Sequence, residues 1–243
     1  MLPRAILFDL DETLIRAYGR PDEAWAAVVA EFARDLGELP HDRLTQTIAA
    51  YAREFWADST QHRYWRQRLL AARREVVAGA LARLAAEGHR VPAAEVSERL
   101  ADRFSAMREE QASLFPDALA VVDALRGRGV RLALVTNGAG DMQRAKIDRF
   151  DLAHRFHHIQ IEGEHGFGKP EERAYRHALE TLGVEAAHTW MIGDNLEWEV
   201  AAPQRLGIHA IWYDPAGSGL PPGTTIRPDR IISALSELLP RVE

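Results

Sequence analysis

The stretch AILFDLDET, residues 5–13, decides the fold of this chain. Residues 5–10 form an apolar run interrupted by a single acid, and a run this short is typical of a buried strand rather than a helix. Asp9 and Asp11 stand at its end. Open parallel sheets bind their ligands beyond the carboxyl ends of their strands. We therefore predict a first strand that delivers two carboxylates to a ligand crevice.

Four more short apolar runs follow, over residues 130–135, 159–161, 189–192 and 209–213. Helical patterns lie between and after them, over residues 117–126, 141–150, 171–182, 197–206 and 231–239. Strands that alternate with amphipathic helices are typical of βαβ units. The pattern predicts an α/β fold, with a Rossmann-like parallel five-stranded sheet and helices on both faces.

The region after the first strand breaks this alternation. It contains no convincing strand and favours amphipathic helices over residues 23–36, 44–56, 64–84 and 93–109. Pro40, Gly88 and Pro92 mark turns between them. We predict a discontinuous α/β core of residues 1–16 and 112–243 and an inserted helical domain of residues 17–111.

Polar side chains follow three of the predicted strands, and the parallel arrangement brings them to one edge of the sheet. Carboxylates gathered there would repel one another without a cation among them. Oxygen ligands favour Mg²⁺, which takes a few carboxylates together with waters and substrate phosphate. The residues are Asp9 and Asp11 after the first strand, Thr136 and Asn137 after the second, and Asp194 and Asn195 after the fourth.

Four motifs in this order resemble those of the haloacid dehalogenase-like (HAD) hydrolase superfamily. They are FDLDETL at 8–14, VTNG at 135–138, GKP at 168–170, and IGDN at 192–195 with Glu199 further on. A lone Asp-x-Asp is common, whereas four motifs in register are specific. The resemblance covers essentially the whole chain and implies a HAD-like core, with the helical insertion as an α-helical cap.

The resemblance also implies roles for individual residues. Asp9 would be the nucleophile that forms an aspartyl-phosphate, and Asp11 would be the general acid and base. Lys169 would offset charge on Asp9 and on the transferring group. Thr136 and the backbone N–H of Asn137 would bind the substrate phosphate.

The metal ligands implied by the resemblance are Asp9, Asp194 and Asp11, the last through its backbone carbonyl. Asn195 and Glu199 would be supporting residues. The family often has Asp where this chain has Glu199, and the longer side chain could serve beyond the metal's direct ligands or pair with Lys169.

The function that follows is a magnesium-dependent hydrolase of small phosphorylated metabolites. The dehalogenases of the superfamily lack the second aspartate of the first motif, so Asp11 favours a phosphatase. A phosphomutase or a 2-haloacid dehalogenase on the same scaffold, and a non-catalytic binding protein, remain alternatives.

Composition and charge limit the kinds of molecule that this chain can be expected to bind. The chain has 243 residues, a net charge of −6 and no cysteine. An acidic chain lacks the basic footprint of a nucleic-acid-binding protein, and the absence of cysteine excludes disulfides and thiolate metal sites. No stretch approaches the roughly 18 apolar residues of a membrane helix, and the start does not resemble a signal peptide. We expect a cytoplasmic monomer or homodimer that binds a small phosphorylated metabolite and neither nucleic acid nor membrane.

Several histidines come close together in the sequence. His154, His157 and His158 precede the third predicted strand, and His165 follows it. No carboxylate pattern accompanies the first three, which argues against a metal site there. For His165, the sequence favours a place on a loop surface over one at the entrance of the cleft.

Overall fold

The structure is a computed structural model that describes residues 2–17 and 19–240. The chain divides into two compact units, one of residues 1–16 and 113–243 and one of residues 17–112. None of the described helices is long and apolar enough to cross a membrane.

The α/β unit holds all the strands among the described residues. In chain order they are β1 (Ala5–Phe8), β2 (Ile15–Arg16), β3 (Ser113–Leu114), β4 (Arg131–Thr136), β5 (His158–Ile161), β6 (Thr189–Gly193), β7 (His209–Tyr213) and β8 (Arg230–Ile232). The helices of both units are α1 (Pro21–Glu31), α2 (Ala33–Leu36), α3 (His41–Ala57), α4 (Ser59–Trp65), α5 (Leu69–Ala86), α6 (Ala94–Gln111), α7 (Ala118–Gly127), α8 (Gly140–Arg149), α9 (Glu162–His165), α10 (Glu172–Leu182) and α11 (Ala202–Gln204).

The main sheet has the order β5-β4-β1-β6-β7-β8, and every neighbouring pair is parallel. From the central strand β1, the chain adds β4 and β5 on one side and β6, β7 and β8 on the other. Strand order therefore reverses at β1, and such a switch point is where open α/β sheets bind ligands. The α/β fold class is confirmed.

The prediction of five strands and of a final helix over residues 231–239 is wrong in detail. Arg230–Ile232 forms a sixth strand that pairs with β7, and only Leu235–Leu238 turns into a short 3₁₀ helix. An edge strand of three residues is fixed by its pairing with a neighbour distant in sequence, which local periodicity does not report.

Strand β1 lies in the core of the α/β unit. All four of its residues are buried, because helices cover both faces of a parallel sheet. On one face Ala5 and Leu7 pack with Val135 of β4 and with Tyr175 and Leu179 of α10. The strand that precedes the first acids is thus buried along its whole length.

The helical unit contains α1 to α6 and has a core of its own. Trp25 of α1 stacks on Phe104 of α6, with ring centroids 3.5 Å apart, and Val28, Leu81 and Leu100 pack in the same cluster. Two of the predicted helices are each divided in the structure, at residue 32 and at residues 66–68. The role of this unit as a cap stays a prediction.

Candidate active site

The chain turns sharply where β1 ends. The carbonyl of Leu10 accepts hydrogen bonds from the backbone N–H groups of Leu14 and Ile15, both at 2.9 Å. Glu12 inside this turn has a φ of 59°, in the left-handed region that few non-glycine residues adopt. The regular alternation of a strand is lost here, so Asp9 and Asp11 meet different partners although they are two residues apart.

Asp9 is a buried carboxylate with both oxygens occupied. The hydroxyl of Thr13 donates to its Oδ2 at 3.1 Å, and the ammonium of Lys169 lies 2.5 Å from its Oδ1. Lys169 also lies 2.7 Å from Oε1 of Glu199. Lys169 and Glu199 are each only 1% exposed. A single ammonium therefore serves two buried carboxylates.

Burial and neighbouring charges shift the pKa values of these three groups. Burial raises the pKa of Asp9, and Lys169 opposes the rise. Burial also raises the pKa of Glu199 to about 7, again against the effect of Lys169. Burial disfavours the charged form of Lys169, but contacts with Asp9 and Glu199 outweigh it and raise its pKa. Lys169 is thus held as a cation among groups that repel one another.

Glu199 lies in a segment where the predicted helix over residues 197–206 is not a regular α-helix. Leu196–Ala201 forms a π-helix, followed by the short α11. The side chain of Asn195 accepts hydrogen bonds from the N–H groups of Glu197 and Trp198 at its start, and the N–H of Asn195 donates to Oε2 of Glu199 at 2.9 Å. π-Helices are frequent at functional sites. Asn195 thus acts on the site by shaping this helix.

Gly193 at the end of β6 makes room for Glu199. A Cβ at this position would lie 2.1 Å from Cγ of Glu199. We expect Gly193→Ala to displace the Glu199 side chain and to lower the free energy of unfolding by about 1–3 kcal/mol, the usual cost of overpacking. Thermal unfolding measures this. Gly127→Ala is the matched control, since nothing lies within 4 Å of that Cβ; an equal loss in both variants would contradict the role of Gly193.

The loop after β4 connects to the Lys169 segment through Asn137. The side-chain oxygen of Asn137 accepts from the N–H of Lys169, and its amide group donates to the carbonyl of Lys169, both at 2.8 Å. The Asn137 side chain is therefore engaged with the backbone of Lys169. Thr136 is buried, and its hydroxyl oxygen accepts from Nε2 of Gln143 at 2.5 Å.

Asp11 has partners that the sequence reasoning missed. Its carboxylate lies 2.7 Å from Nζ of Lys146 and accepts from Nε2 of Gln143 at 3.0 Å. Gln143 and Lys146 both belong to α8. Residues three apart share a helix face, and α8 begins just beyond Thr136. The i, i+3 spacing of these two side chains was therefore a signal that could have found them.

Asp194 follows β6, and its backbone carbonyl accepts from Nε1 of Trp212 at 2.6 Å. The side chain is exposed by surface area, yet loss of surrounding water at its carboxyl group and repulsion from Asp9 and Glu199 raise its pKa. Asp9 and Asp194 therefore crowd negative charge at one place, and both offer carboxylate oxygens. This donor set fits a hard divalent cation such as Mg²⁺.

Comparisons with known proteins show what this chain is similar to. The family model of the haloacid dehalogenase-like hydrolases matches residues 3–207. A phosphoserine phosphatase from Thermus thermophilus is 40% identical over 122 residues, which are 50% of this chain and 49% of that protein. A ribulose-1,5-bisphosphate 5-phosphatase from Halopiger xanaduensis is 29% identical over 87% of this chain and 85% of its own length. With several of its curated relatives, among them the phosphoserine phosphatase, the match spans only about half of the relative's length.

Solved structures resemble the chain over nearly its full length. A 2-haloacid dehalogenase from Pseudomonas syringae has a TM-score of 0.61 and 26% identity, with 98% of this chain and 96% of that chain covered. A Bacillus subtilis protein assigned to the HAD hydrolases, bound to magnesium, has a TM-score of 0.68 and 22% identity, with 98% and 97% covered. The second likeness supports the fold.

Proposed function

Because the chain belongs to the haloacid dehalogenase-like hydrolases, we propose that it is a magnesium-dependent phosphomonoesterase with Asp9 as its nucleophile. The observation that supports this most is the buried Asp9 carboxylate at the switch point of the sheet, held by Thr13 on one oxygen and by Lys169 on the other. A fixed carboxylate is a competent nucleophile toward phosphorus. The neighbouring ammonium offsets the charge that gathers when a phosphate arrives.

The reaction has two steps. In the first, an Asp9 oxygen bonds to phosphorus, the bond from phosphorus to the leaving oxygen breaks, and Asp11 gives that oxygen its proton. In the second, a water attacks the phosphorus of the aspartyl-phosphate and gives a proton to Asp11. Orthophosphate leaves, and the Asp9 carboxylate is restored. Thr136 and the Asn137 N–H hold the phosphate oxygens during both steps.

Asp11 can be tested through the leaving group. A nitrophenolate departs without a proton, whereas an alkoxide needs one. We expect Asp11→Asn to slow release of phosphate from an alkyl phosphate by about 10²- to 10⁴-fold, the usual contribution of general acid catalysis. The first step with p-nitrophenyl phosphate, read from the burst of nitrophenolate, should be affected much less.

Asp141→Asn makes the same substitution at an exposed position of α8 and is the control for this test. If Asp11→Asn slows the two substrates equally, Asp11 is not the acid.

Asp9 and Asp194 would hold the magnesium ion, together with the backbone carbonyl of Asp11. When bound, Mg²⁺ supplies positive charge that stabilises the oxygens of the transferring phosphoryl group. Loss of water raises the pKa of both carboxyl groups, and repulsion from Asp9 raises that of Asp194 further. A bound cation would offset this crowding of negative charge, which supports the assignment.

Asp194→Asn should weaken the response to magnesium. We expect the Mg²⁺ concentration for half-maximal activity to rise by at least about 10- to 100-fold, the range seen when groups that only orient metal ligands are removed. The rise in melting temperature that Mg²⁺ produces in the wild type should also disappear. Asp141→Asn, an exposed aspartate in the first turn of α8, is the control. An unchanged magnesium titration in Asp194→Asn would rule out its role as a ligand.

The substrate we propose is a phosphate monoester of a small metabolite. The named relatives include a phosphoserine phosphatase, a ribulose-1,5-bisphosphate 5-phosphatase and a glyceraldehyde 3-phosphate phosphatase. Their substrates differ in carbon skeleton and share a phosphate ester. We therefore infer the class of substrate from them and not its identity.

A panel of phosphorylated metabolites tests the proposal directly, with orthophosphate as the readout. The panel includes p-nitrophenyl phosphate as a generic ester and a 2-haloacid, since a structural neighbour is a 2-haloacid dehalogenase. Release of orthophosphate that needs Mg²⁺ supports a phosphatase, and it separates a phosphatase from a phosphomutase. Release of halide without phosphate release from any ester would overturn the proposal.

A further inference from the structure

Three imidazoles from separate elements meet on the α/β unit. His158 begins β5, His165 ends α9, and His177 lies in the middle of α10. One ring nitrogen of each lies within 4.8 Å of a ring nitrogen of each of the others. The ring centroids are 5.1 Å apart for His165 and His177, 5.3 Å for His158 and His177, and 6.1 Å for His158 and His165.

Hydrogen bonds fix which nitrogen of two rings carries a lone pair. Nδ1 of His165 lies 3.1 Å from the carbonyl oxygen of Ile161, and Nδ1 of His177 lies 2.9 Å from Oε1 of Gln160. The Ile161 oxygen belongs to a backbone carbonyl and can only accept a hydrogen bond. The NH₂ group of Gln160 donates to the carbonyl of Ala174 at 2.9 Å, so the atom that faces His177 is the amide oxygen, which also can only accept. Each Nδ1 therefore carries the hydrogen, and each Nε2 keeps a free lone pair.

The third ring supplies an unexplained polar atom. Nε2 of His158 is buried and has no hydrogen-bond partner among residues 2–17 and 19–240. A buried polar atom without a partner costs free energy and calls for an explanation. A cation shared with the two neighbouring rings would provide the partner.

We propose that His158, His165 and His177 form a site for a divalent transition metal of the Zn²⁺ type. Imidazole nitrogens suit Zn²⁺, Co²⁺, Ni²⁺ and Cu²⁺, whereas Mg²⁺ requires oxygen ligands. Zinc–nitrogen bonds of about 2.0–2.1 Å in a tetrahedral site place the centroids of three bound rings roughly 5 Å apart. The observed separations are close to this value. Carbonyl and amide acceptors behind the rings are the usual means of orienting metal-binding histidines.

This site differs from the one proposed for magnesium in its ligands and in its place. It contains no carboxylate, and it joins β5, α9 and α10 to one another. Phe167, which is buried, packs against His165 and His177 with ring centroids 5.8 and 5.5 Å apart. Lys169 lies two residues beyond Phe167. A metal bound here would therefore stabilise the segment that carries Lys169.

Metal binding by the full-length protein, stripped with a chelator, tests the site. We expect one equivalent of Co²⁺ to bind in the presence of excess Mg²⁺, with visible absorption of a low-coordinate Co²⁺ centre, and Zn²⁺ to displace it. His165 and His177 lie in different helices. The variants His165→Gln and His177→Gln should each weaken Zn²⁺ binding, measured by calorimetry, at least about tenfold. Zn²⁺ should raise the melting temperature of the wild type and not that of the variants.

Two control variants make the result specific. His154→Gln changes an exposed histidine outside the cluster, and Asp194→Asn changes the proposed magnesium site. Both should bind Zn²⁺ as the wild type does. Equal Zn²⁺ affinity in all five proteins, or a loss in Asp194→Asn alone, would overturn the proposal.

Discussion

The Asp9→Asn variant is expected to lose at least about 10³-fold in phosphate release while keeping its fold, since loss of a nucleophile costs this much or more in hydrolases. Asn has the shape of Asp but no charge with which to attack phosphorus. Its amide oxygen can still accept from Lys169, and its amide group can face the Thr13 hydroxyl. Lys169 also keeps Glu199 as a charged partner at 2.7 Å. Orthophosphate release and thermal unfolding, measured together, separate loss of chemistry from loss of structure.

Asp141→Asn makes the same substitution at an exposed position and should keep the wild-type rate. Turnover close to the wild-type rate in Asp9→Asn would refute the proposed mechanism. Loss of activity together with loss of the folded state would show instead that Asp9 is needed for stability.

Lys169→Met is expected to reduce both activity and stability. Without the ammonium, the buried carboxylates of Asp9 and Glu199 have lost their shared cation. Breaking a buried ion pair by removing one partner costs about 3–5 kcal/mol, which thermal or denaturant unfolding measures. Loss of electrostatic stabilisation at the reacting group should lower the rate by about 10²- to 10³-fold.

The loss of stability should depend on pH with a defined sign. Glu199 has a pKa of about 7 in the fold against 4.5 for an ordinary Glu. The folded state therefore binds this proton more tightly, and the contribution of Glu199 is lost as pH rises from about 4.5 through about 7. Removing Lys169 raises this pKa further, so the fall in melting temperature should be larger at pH 8 than at pH 5.

Glu199→Gln in the Lys169→Met background is the control, because it removes one of the two uncompensated charges. We expect it to recover part of the lost stability at pH 8. If Lys169→Met is equally destabilised at both pH values, the buried charges do not determine its stability.

Much of this arrangement could be predicted from residue order alone. Short apolar runs that end in acids, threonine or asparagine mark strands, and parallel pairing brings their ends together. Asp9 and Asp194 follow strands β1 and β6 of the observed sheet, and Thr136 is the last residue of β4. These strands are buried and continuous, so local pattern and tertiary structure agree.

The features that could not be predicted depend on contacts between residues that are far apart in the chain. Arg230–Ile232 is a strand only because β7 lies beside it. Asp11 meets Lys146 across 135 positions, and His177 joins His158 across 19 positions that include all of α9. In the sequence, His158 lies beside His157 and close to His154. In the structure its neighbours are His165 and His177, which the fold brings to it.

The pairing of Asn137 with the backbone of Lys169 has a consequence for protein engineering. The two hydrogen bonds join segments 32 residues apart, so each segment contributes to holding the other in place. When chimeras are built by recombining this chain with its relatives, a crossover between positions 137 and 169 takes the two hydrogen-bonded segments from different parents. Crossovers placed outside that interval transfer both loops as one exchangeable module.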